Sequence, residues 1–215
     1  MNKTKRLILD TALSLFNEQG LAQVSLRTIA DTMRISPGNL TYHFKKREEI
    51  VEALYYEFVA AVEERFNEMN LSEIKLNLVF DLISMLTETR LKYRFLMRDF
   101  TTLIAENSSI KKHYVAVLKK RKSQSMGVFD HLIEQKMFRP AELENEYEHL
   151  YERIQILGNF WITSTLMQGE KLTKATVERN FQMVVQIIFP YLTAKGKKEW
   201  NACYVKKHVE ILKDS

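Results

Sequence analysis

The segment ISPGNLTYHF, residues 35–44, predicts a short helix that presents polar and aromatic side chains. Ser36 is a residue type that accepts hydrogen bonds from the first helical amides, and Pro37 has no amide to leave unbonded at the first helical position. Leu40 and Phe44 lie four residues apart, so they share one face and can pack into a core. Because a helix of about nine residues is not stable alone, these two side chains must anchor it against other helices.

The other side chains of this helix have chemistry suited to a DNA groove. A glycine lets the backbone approach a partner closely, while amide, hydroxyl and ring-borne polar groups can bond base edges or phosphates. These residues, turned outward to varying degrees, are Gly38, Asn39, Thr41, Tyr42 and His43. The segment therefore predicts a DNA-contacting surface.

Two further helices are predicted before this segment. Apolar residues at helical spacing indicate a first helix over residues 4–19, and Gly20 is suited to end it with a left-handed backbone. Ser25 is suited to cap a second helix, and Arg34 and Ile35 form the turn that leads to Ser36. A helix, a short turn and a helix with an exposed N-terminal end form the helix–turn–helix pattern.

Positive charge is concentrated in the same part of the chain. Residues 1–47 contain eight Lys or Arg against three Asp or Glu, and the whole chain of 215 residues contains 32 against 27, so the net charge of +5 lies entirely in this segment. The remaining residues balance. This asymmetry indicates that the N-terminal end meets a polyanion while the rest has another task.

The rest of the chain is predicted to be helical as well. The 6 Gly and 3 Pro are too few for an all-β design, so we expect an all-α fold. A long amphipathic helix starts near Arg47, with its inward face formed by Ile50, Leu54, Phe58, Val62, Phe66 and Met69. Further helices are predicted at 72–88, 92–105, 108–136, 140–168, 173–193 and 197–213. Their starts are marked by Ser72, Ser108, Pro140 and Thr173, and two stops by Gly169 and Gly196.

The sequence predicts neither a membrane protein nor a secreted one. No apolar run reaches the length of about 18 residues that a transmembrane helix needs, because Asp81, Gln186 and Pro190 interrupt the longest candidates. Asp10 lies within the N-terminal apolar stretch, unlike in a signal peptide. The single cysteine, Cys203, cannot form an intrachain disulfide. We therefore expect a cytoplasmic protein with no membrane partner.

The sequence also carries no enzyme motif. Its 5 His residues form no H-x-x-x-H pair, and it has no phosphate-binding glycine loop and no G-x-S-x-G motif. We predict no catalytic residue, no metal site and no cofactor. Two alternatives stay open: a helical enzyme, with Glu106, His113 or Tyr114 as the best candidates, and a helical interaction protein that never binds DNA.

Residues 3–54 resemble the DNA-binding head of the TetR/AcrR family of bacterial transcriptional regulators. The family signature runs approximately T-x-x-x-I-A-x-x-x-G-V-S-x-G-x-L-Y-x-H-F-x-x-K-E-x-L, and residues 25–50 are SLRTIADTMRISPGNLTYHFKKREEI. The matching positions are Ile29, Ala30, Ser36, Gly38, Leu40, His43, Phe44, Glu48 and Ile50. The resemblance implies a three-helix DNA-binding domain over residues 1–47, followed by a larger helical ligand-binding and dimerisation domain over residues 48–215.

Three positions depart from the family pattern. Thr41 stands where the family usually has a tyrosine that touches the DNA backbone, and Arg47 replaces a lysine that clamps a phosphate. Arg34 replaces the usual turn glycine, and a side chain there costs on the order of 1 kcal/mol if φ is positive.

The resemblance and the residue chemistry together predict one DNA site. Phosphate contacts are expected from Lys3, Ser25, Arg27, Lys46 and Arg47, and sequence specificity from Gly38, Asn39, Thr41, Tyr42 and His43, on the helix that Ser36 and Pro37 begin. Two copies related by a two-fold axis would bind a palindromic operator in double-stranded DNA.

The C-terminal part is rich in aromatic and methionine side chains, which suit a pocket for a small apolar effector. The candidate ligand-binding residues are Phe95, Met97, Phe100, Tyr114, Leu118, Phe129, Phe160, Trp161 and Thr165. Such side chains are more often plain core, which is the alternative for each of them. Residues 156–169 and 177–192 resemble in position the two helices that form the family's dimer interface, with burial inside one chain as the alternative.

The function that follows is a homodimeric repressor released from DNA by a small apolar effector. The alternatives are an activator of the same family, or a helical small-molecule-binding protein or enzyme that does not act on DNA. The resemblance, rather than any residue pattern, implies the ligand response.

Overall fold

The computed structural model describes the backbone of residues 3–68 and 75–213 and the side chains of residues 3–67 and 75–204. Over these residues the chain is all-α, as predicted, and contains no named strand. The first five helices are α1 (Lys3–Gln19), α2 (Leu26–Met33), α3 (Pro37–His43), α4 (Arg47–Glu68) and α5 (Leu76–Lys92). The remaining five are α6 (Arg94–Glu106), α7 (Ser108–Glu134), α8 (Glu146–Met167), α9 (Lys174–Ile188) and α10 (Ala194–Lys213). Short 3₁₀ turns occupy Leu21–Gln23 and Phe189–Tyr191.

The chain packs into two compact units. The first unit combines Met1–Glu63 with Thr89–Tyr114, and the second combines Glu64–Glu88 with Val115–Ser215. The first unit therefore contains α6 as well as α1, α2, α3 and most of α4. The domain boundary expected at residue 47 stays a prediction, because these units group residues by packing and not by independent folding.

The core of the first unit holds α3 in place. Leu40 is fully buried and Phe44 is 3% exposed, as their spacing predicted. They share this core with side chains from the surrounding helices, including Ile8, Leu9, Ala12, Phe16, Ile29, Ala30, Ile50 and Leu54. The shortest helix of the unit thus depends on its neighbours for stability.

Two serines begin the helices of the helix–turn–helix segment, as predicted. The Ser25 hydroxyl oxygen accepts from the Thr28 N–H at 3.1 Å, and the Thr28 hydroxyl oxygen accepts in return from the Ser25 N–H at 3.3 Å. The Ser36 hydroxyl oxygen accepts from the Asn39 N–H at 3.2 Å, and Pro37 is the first residue of α3. Both caps satisfy amides that a helix start leaves unbonded.

The second unit has its own apolar core between α5, α7, α8, α9 and α10. The Phe80 ring lies at its centre, with ring centroids 6.0 Å from Phe181 and 6.1 Å from Trp200. The other deeply buried members include Leu76, Leu132, Phe138, Leu150, Val185 and Ile188.

Two of the residues predicted to mark helix ends, Pro140 and Gly196, do not do so. Helix α8 begins at Glu146 and not at Pro140, because residues 140–145 form an exposed loop that ends in a left-handed Asn145. Gly196 does not end a helix but lies in the first turn of α10. A Cβ added there would lie 2.1 Å from the Met137 carbonyl oxygen, so this glycine allows close backbone packing.

Other predicted boundaries were close. Thr173 caps α9, α7 begins at Ser108, and Gly169, with φ +74°, follows the end of α8. Gly20 has the expected positive φ of +88° but an extended ψ of 155°. The predicted start at Ser72 and the inward residue Met69 lie outside the described residues. No helix within the described ranges is both long and apolar enough to cross a membrane.

A partly buried ion pair holds the loop before α8. The Arg139 guanidinium donates to both carboxylate oxygens of Glu146, at 2.6 Å and 3.0 Å, and the Glu142 N–H donates to the same carboxylate at 2.7 Å. These hydrogen bonds stabilise the ionised carboxylate and lower the pKa of Glu146 to about 2. The loop is therefore held by a charge that acid removes.

Replacing Glu146 is expected to reduce the acid sensitivity of the protein. Because the pKa of Glu146 is lower in the folded chain than in the unfolded chain, its stabilising effect is present above its ordinary pKa of 4.5 and disappears as the pH falls toward about 2. Urea unfolding at several pH values should show a smaller acid loss for Glu146→Gln than for wild type. Glu144→Gln, in the same loop and exposed, is the control and should behave as wild type. Equal acid losses in all three proteins would contradict the assignment.

Candidate functional site

Helix α3 and its N-cap expose almost all of their own residues that were predicted to contact DNA. Ser36, Pro37, Gly38, Asn39 and Thr41 are exposed. Tyr42 is 85% exposed. His43 is half-buried, and its ring lies edge-on to that of Tyr42 with centroids 5.1 Å apart. The helix thus presents a mixed polar and aromatic face to solvent.

Gly38 has no role inside the chain. Its φ is outside the left-handed region, and a Cβ added to it would meet nothing within 4 Å. A glycine in a helix costs about 0.5–1 kcal/mol relative to alanine, so this position carries a cost with no internal benefit. Close approach of an external partner to the backbone gives the glycine a reason.

Thr41, which departs from the family pattern, uses its hydroxyl proton inside α3. The hydroxyl donates its proton toward two carbonyl oxygens, that of Pro37 at 3.0 Å and that of Gly38 at 3.1 Å. Its oxygen keeps lone pairs that can accept a hydrogen bond. In the free chain this residue is therefore available as an acceptor and not as a donor.

The predicted phosphate-contacting residues differ in how firmly they are held. Lys3 and Lys46 are exposed, and Arg27 lies 3.7 Å from Asp31 in an exposed pair that contributes little to stability. Arg47 is 29% exposed, and its Nη1 donates to the Leu21 carbonyl oxygen at 3.1 Å. Arg47 is thus oriented by the 3₁₀ turn that follows α1.

The turn between α2 and α3 has the backbone that the family glycine implied. Arg34 has φ 55° and ψ 40°, which is left-handed, and the Ile35 N–H donates to the Ala30 carbonyl oxygen at 3.1 Å. A side chain in this conformation costs about 1–2 kcal/mol. This turn sets the angle at which α3 leaves α2.

The predicted ligand-binding residues of the first unit occupy two environments. Phe95 is fully buried and packs against Phe16, with ring centroids 5.2 Å apart. Phe100 is half-buried beside Tyr114, at 4.6 Å between ring centroids, and Met97 is also half-buried. Phe95 thus belongs to the core around α1, whereas Phe100 and Tyr114 belong to a second aromatic group.

Sequence reasoning missed the centre of that second group. Tyr55 is fully buried, its hydroxyl lies 2.9 Å from the Nδ1 of His113, and its ring is 6.3 Å from that of Phe100. Tyr56 lies edge-on to His113 at 5.0 Å. Burial raises the pKa of Tyr55, so its hydroxyl is neutral and can donate a hydrogen bond. The adjacent pairs Tyr55–Tyr56 and His113–Tyr114 were the only sequence signal for this cluster.

The five predicted ligand-binding residues of the second unit also divide. Phe129 lies in the core between Phe138 and Tyr147, at 6.0 Å and 5.5 Å between ring centroids. Leu118 is half-buried, and its carbonyl oxygen lies 3.5 Å from the Tyr151 hydroxyl. The other three residues, on α8, line a groove.

The groove lies between α8 and α9 and has a volume of about 580 Å³. Trp161 and Thr165 are buried in its wall, whereas Phe160 is 52% exposed. Ile156 and Met183, which lie in the two segments predicted as the dimer interface, are 68% and 40% exposed on the same groove. Large exposed apolar side chains on neighbouring helices indicate a surface that another molecule covers.

The candidates for a catalytic role lie in different surroundings. Glu106, one candidate for a catalytic role, is exposed, and His113 and Tyr114 are held in the aromatic group described above. The part of the chain that the structure describes contains no group of three or more His, Cys, Asp or Glu side chains that could hold a metal ion.

Known proteins match the chain along most of its length. Residues 8–54 match the model of bacterial regulatory proteins of the tetR family, and residues 57–200 match the TetR model, described as a bacterial transcriptional repressor. The probable HTH-type transcriptional regulator YttP of Bacillus subtilis (strain 168) is 31% identical over 113 residues, which cover 48% of this chain. The match spans about half (55%) of that relative.

Solved structures show the same fold. A TetR-family regulator from Marinobacter aquaeolei VT8 is 20% identical with a TM-score of 0.85, over 94% of this chain and 98% of that one. A transcriptional regulator from Saccharomonospora viridis, solved in complex with choline, is 20% identical with a TM-score of 0.66, over 87% and 96%. One family model covers the helix–turn–helix segment, and the other covers most of the helices that follow it. The chain therefore belongs to the TetR family of bacterial transcriptional regulators.

Proposed function

We propose that this protein is a homodimeric repressor that binds a palindromic operator through α3. The observation that carries the proposal is the exposed face of α3. Gly38 is its most informative residue, because no neighbouring atom within 4 Å requires a glycine there. The family model described as a bacterial transcriptional repressor supports the sign of regulation. Because bacterial DNA lies in the cytoplasm, this function requires a cytoplasmic protein.

The contacts with DNA divide into two kinds. Gly38, Asn39, Thr41, Tyr42 and His43 contact base edges in the major groove, with Thr41 acting as an acceptor. Residues around this helix contact phosphates and set its register; they are Lys3, Ser25, Arg27, Ser36, Pro37, Lys46 and Arg47. The position of these residues at helix starts and on an exposed helix face supports the division.

The dimer forms through α8 and α9. Ile156, Phe160 and Met183 expose apolar surface along the groove between these helices, and a second copy related by a two-fold axis would bury it. Two copies would then present two α3 helices to half-sites one helical turn apart or a multiple of it.

A small apolar effector releases the dimer from DNA. The aromatic group around Tyr55, Phe100 and Tyr114 supports an effector site in the first unit, since flat side chains and a neutral hydroxyl suit an apolar molecule with one polar group. The choline complex of the Saccharomonospora viridis regulator supports small-molecule binding by a protein of this fold. An effector that prefers the form with wrongly spaced α3 helices would shift the population off DNA.

Selection of duplexes from a random pool tests the proposal directly. The purified protein should enrich a palindrome, and Tyr42→Ala should change the preferred sequence because it alters a base-contacting side chain. Arg47→Ala should weaken all sequences alike and reduce the slope of log affinity against log salt by about one per subunit. Lys171→Ala, an exposed lysine of the second unit, is the control and should bind as wild type. Absence of any enrichment at low salt would reject the proposal.

Gly38→Ala should have opposite effects on folding and on DNA binding. Because the new Cβ meets nothing within 4 Å and α3 gains helix propensity, the free energy of unfolding should rise by about 0.5 kcal/mol. Operator affinity should fall at least tenfold, on the order of 1.4 kcal/mol, because the Cβ separates the backbone from DNA. Gly169→Ala, at φ +74°, should lower stability and leave DNA binding unchanged. A Gly38→Ala protein that binds as tightly as wild type would contradict a close approach.

A charge in the groove should separate the two copies. Phe160→Glu puts a carboxylate at the centre of the proposed interface, where burial of an unpaired charge is costly. Sedimentation velocity should then show a dimer for wild type and a monomer for the variant at the same concentration. Leu143→Glu, which alters a 72% exposed leucine outside α8 and α9, is the matched control and should stay dimeric. A dimeric Phe160→Glu protein would exclude this face as the interface.

A further inference from the structure

Helix α6 begins without a cap of its own. Tyr93 occupies the N-cap position, with φ −104° and ψ 38°, and its side chain makes no capping hydrogen bond. A helix start leaves its first amides without partners inside the helix, and buried amides must be bonded elsewhere. The side chain that bonds the Phe95 amide comes from α1.

Asn17 of α1 closes the corner between α5 and α6. Its Oδ1 accepts from the Phe95 N–H at 3.0 Å, and its Nδ2 donates to the Lys92 carbonyl oxygen at 2.8 Å. Asn17 is 9% exposed, and the adjacent rings of Phe16 and Phe95 are fully buried. One amide side chain of the DNA-binding segment therefore serves both the last residue of α5 and the first turn of α6.

The next turn of α6 makes hydrogen bonds with the end of α1 and with the 3₁₀ turn that follows it. Arg98 Nη1 lies 3.4 Å from the Asn17 carbonyl oxygen, to which it donates. Asp99 Oδ2 accepts from the Leu21 N–H at 3.3 Å. Phe95, Arg98 and Asp99 are spaced as one face of a helix, so α6 holds the end of α1 and the start of the 3₁₀ turn along a single line.

Leu21 connects this line to a predicted phosphate contact. Its N–H is held by Asp99, and its carbonyl oxygen accepts from Arg47 Nη1 at 3.1 Å. Two side chains from different helices thus bond the backbone of one residue from either side. Displacement of Leu21 would change the position of the Arg47 guanidinium, whose planar fork needs a defined orientation to bond a phosphate.

We propose that Asn17 and Asp99 are positioning residues for DNA binding, which act through Leu21 on Arg47. Asn17 makes α6 and α1 move together, because separating them would leave the buried Phe95 amide without its partner. Asp99 then passes any movement of α6 to the Leu21 backbone. The inference rests on the proposed function, since it needs Arg47 to contact DNA.

A double-mutant cycle on the selected operator tests this route. Asp99→Ala should weaken binding by about tenfold, the size of one hydrogen bond that involves a charged group. In the Arg47→Ala background the same substitution should have no further effect, because the group that it positions is absent. Asp99→Ala should also reduce the salt slope in the same direction as Arg47→Ala.

The sign of the expected effect separates positioning from charge. Removing a carboxylate makes the net charge of the protein more positive. Electrostatic attraction to the DNA polyanion alone would therefore strengthen binding. Glu106→Ala removes an exposed carboxylate from the other end of α6 and is the matched control; it should not weaken binding. Additive losses for Asp99→Ala and Arg47→Ala, or unchanged affinity in Asp99→Ala, would overturn the inference and leave the proposed function standing.

Hydrogen exchange of the free protein supplies a readout that does not need DNA. Asn17→Leu, which removes both hydrogen bonds at nearly constant volume, should speed exchange of the Phe95 and Leu21 amides together. Asn17→Asp keeps the acceptor for Phe95 and should protect that amide better than Asn17→Leu does. Faster exchange at Phe95 with an unchanged Leu21 would overturn the coupling. A wild-type protein that enriches no duplex would overturn both this inference and the proposed function.

Discussion

Burial of Leu40 and Phe44 is the interaction on which the rest of the candidate site depends. Helix α3 has seven residues, too few to be stable in water, and it persists because these two side chains insert into a core formed by α1, α2 and α4. Two anchors are enough for so short a helix. The remaining positions of α3 are therefore not needed for packing, and their side chains can serve binding to a partner.

The core holds the helices of the first unit together, and hydrogen bonds between their ends then orient them. Several backbone groups at element ends in the first unit are bonded by side chains from elsewhere, as in the bonds of Asn17 to Phe95, Asp99 to Leu21 and Arg47 to Leu21. Apolar packing tolerates small shifts, whereas a hydrogen bond to a buried amide fails over about 1 Å. These bonds give the residues proposed to contact DNA a defined geometry that hydrophobic contact alone would not.

The aromatic side chains that follow the helix–turn–helix segment serve different ends. Phe129 and Phe95 are core, Phe100 packs beside Tyr114 and the missed Tyr55, and Phe160 faces solvent across the groove between α8 and α9. Their composition alone suited either a pocket or plain core. Burial distinguishes a ring that stabilises the core from one left at the surface, and burial depends on which helices become neighbours.

The sequence by itself determined the features that act within one helical turn. Ser25 and Ser36 cap their helices, and Leu40 and Phe44 share one face, because each feature depends on residues a few positions apart. The left-handed backbone at Arg34 was implied only by the family's turn glycine. The tertiary structure alone decided the rest. Asn17 meets Lys92 across 75 residues of sequence, and Gly196 is required by the Met137 carbonyl of another segment. Neither has a local signature, since an amide or a glycine acquires such a role only when distant backbone is brought against it.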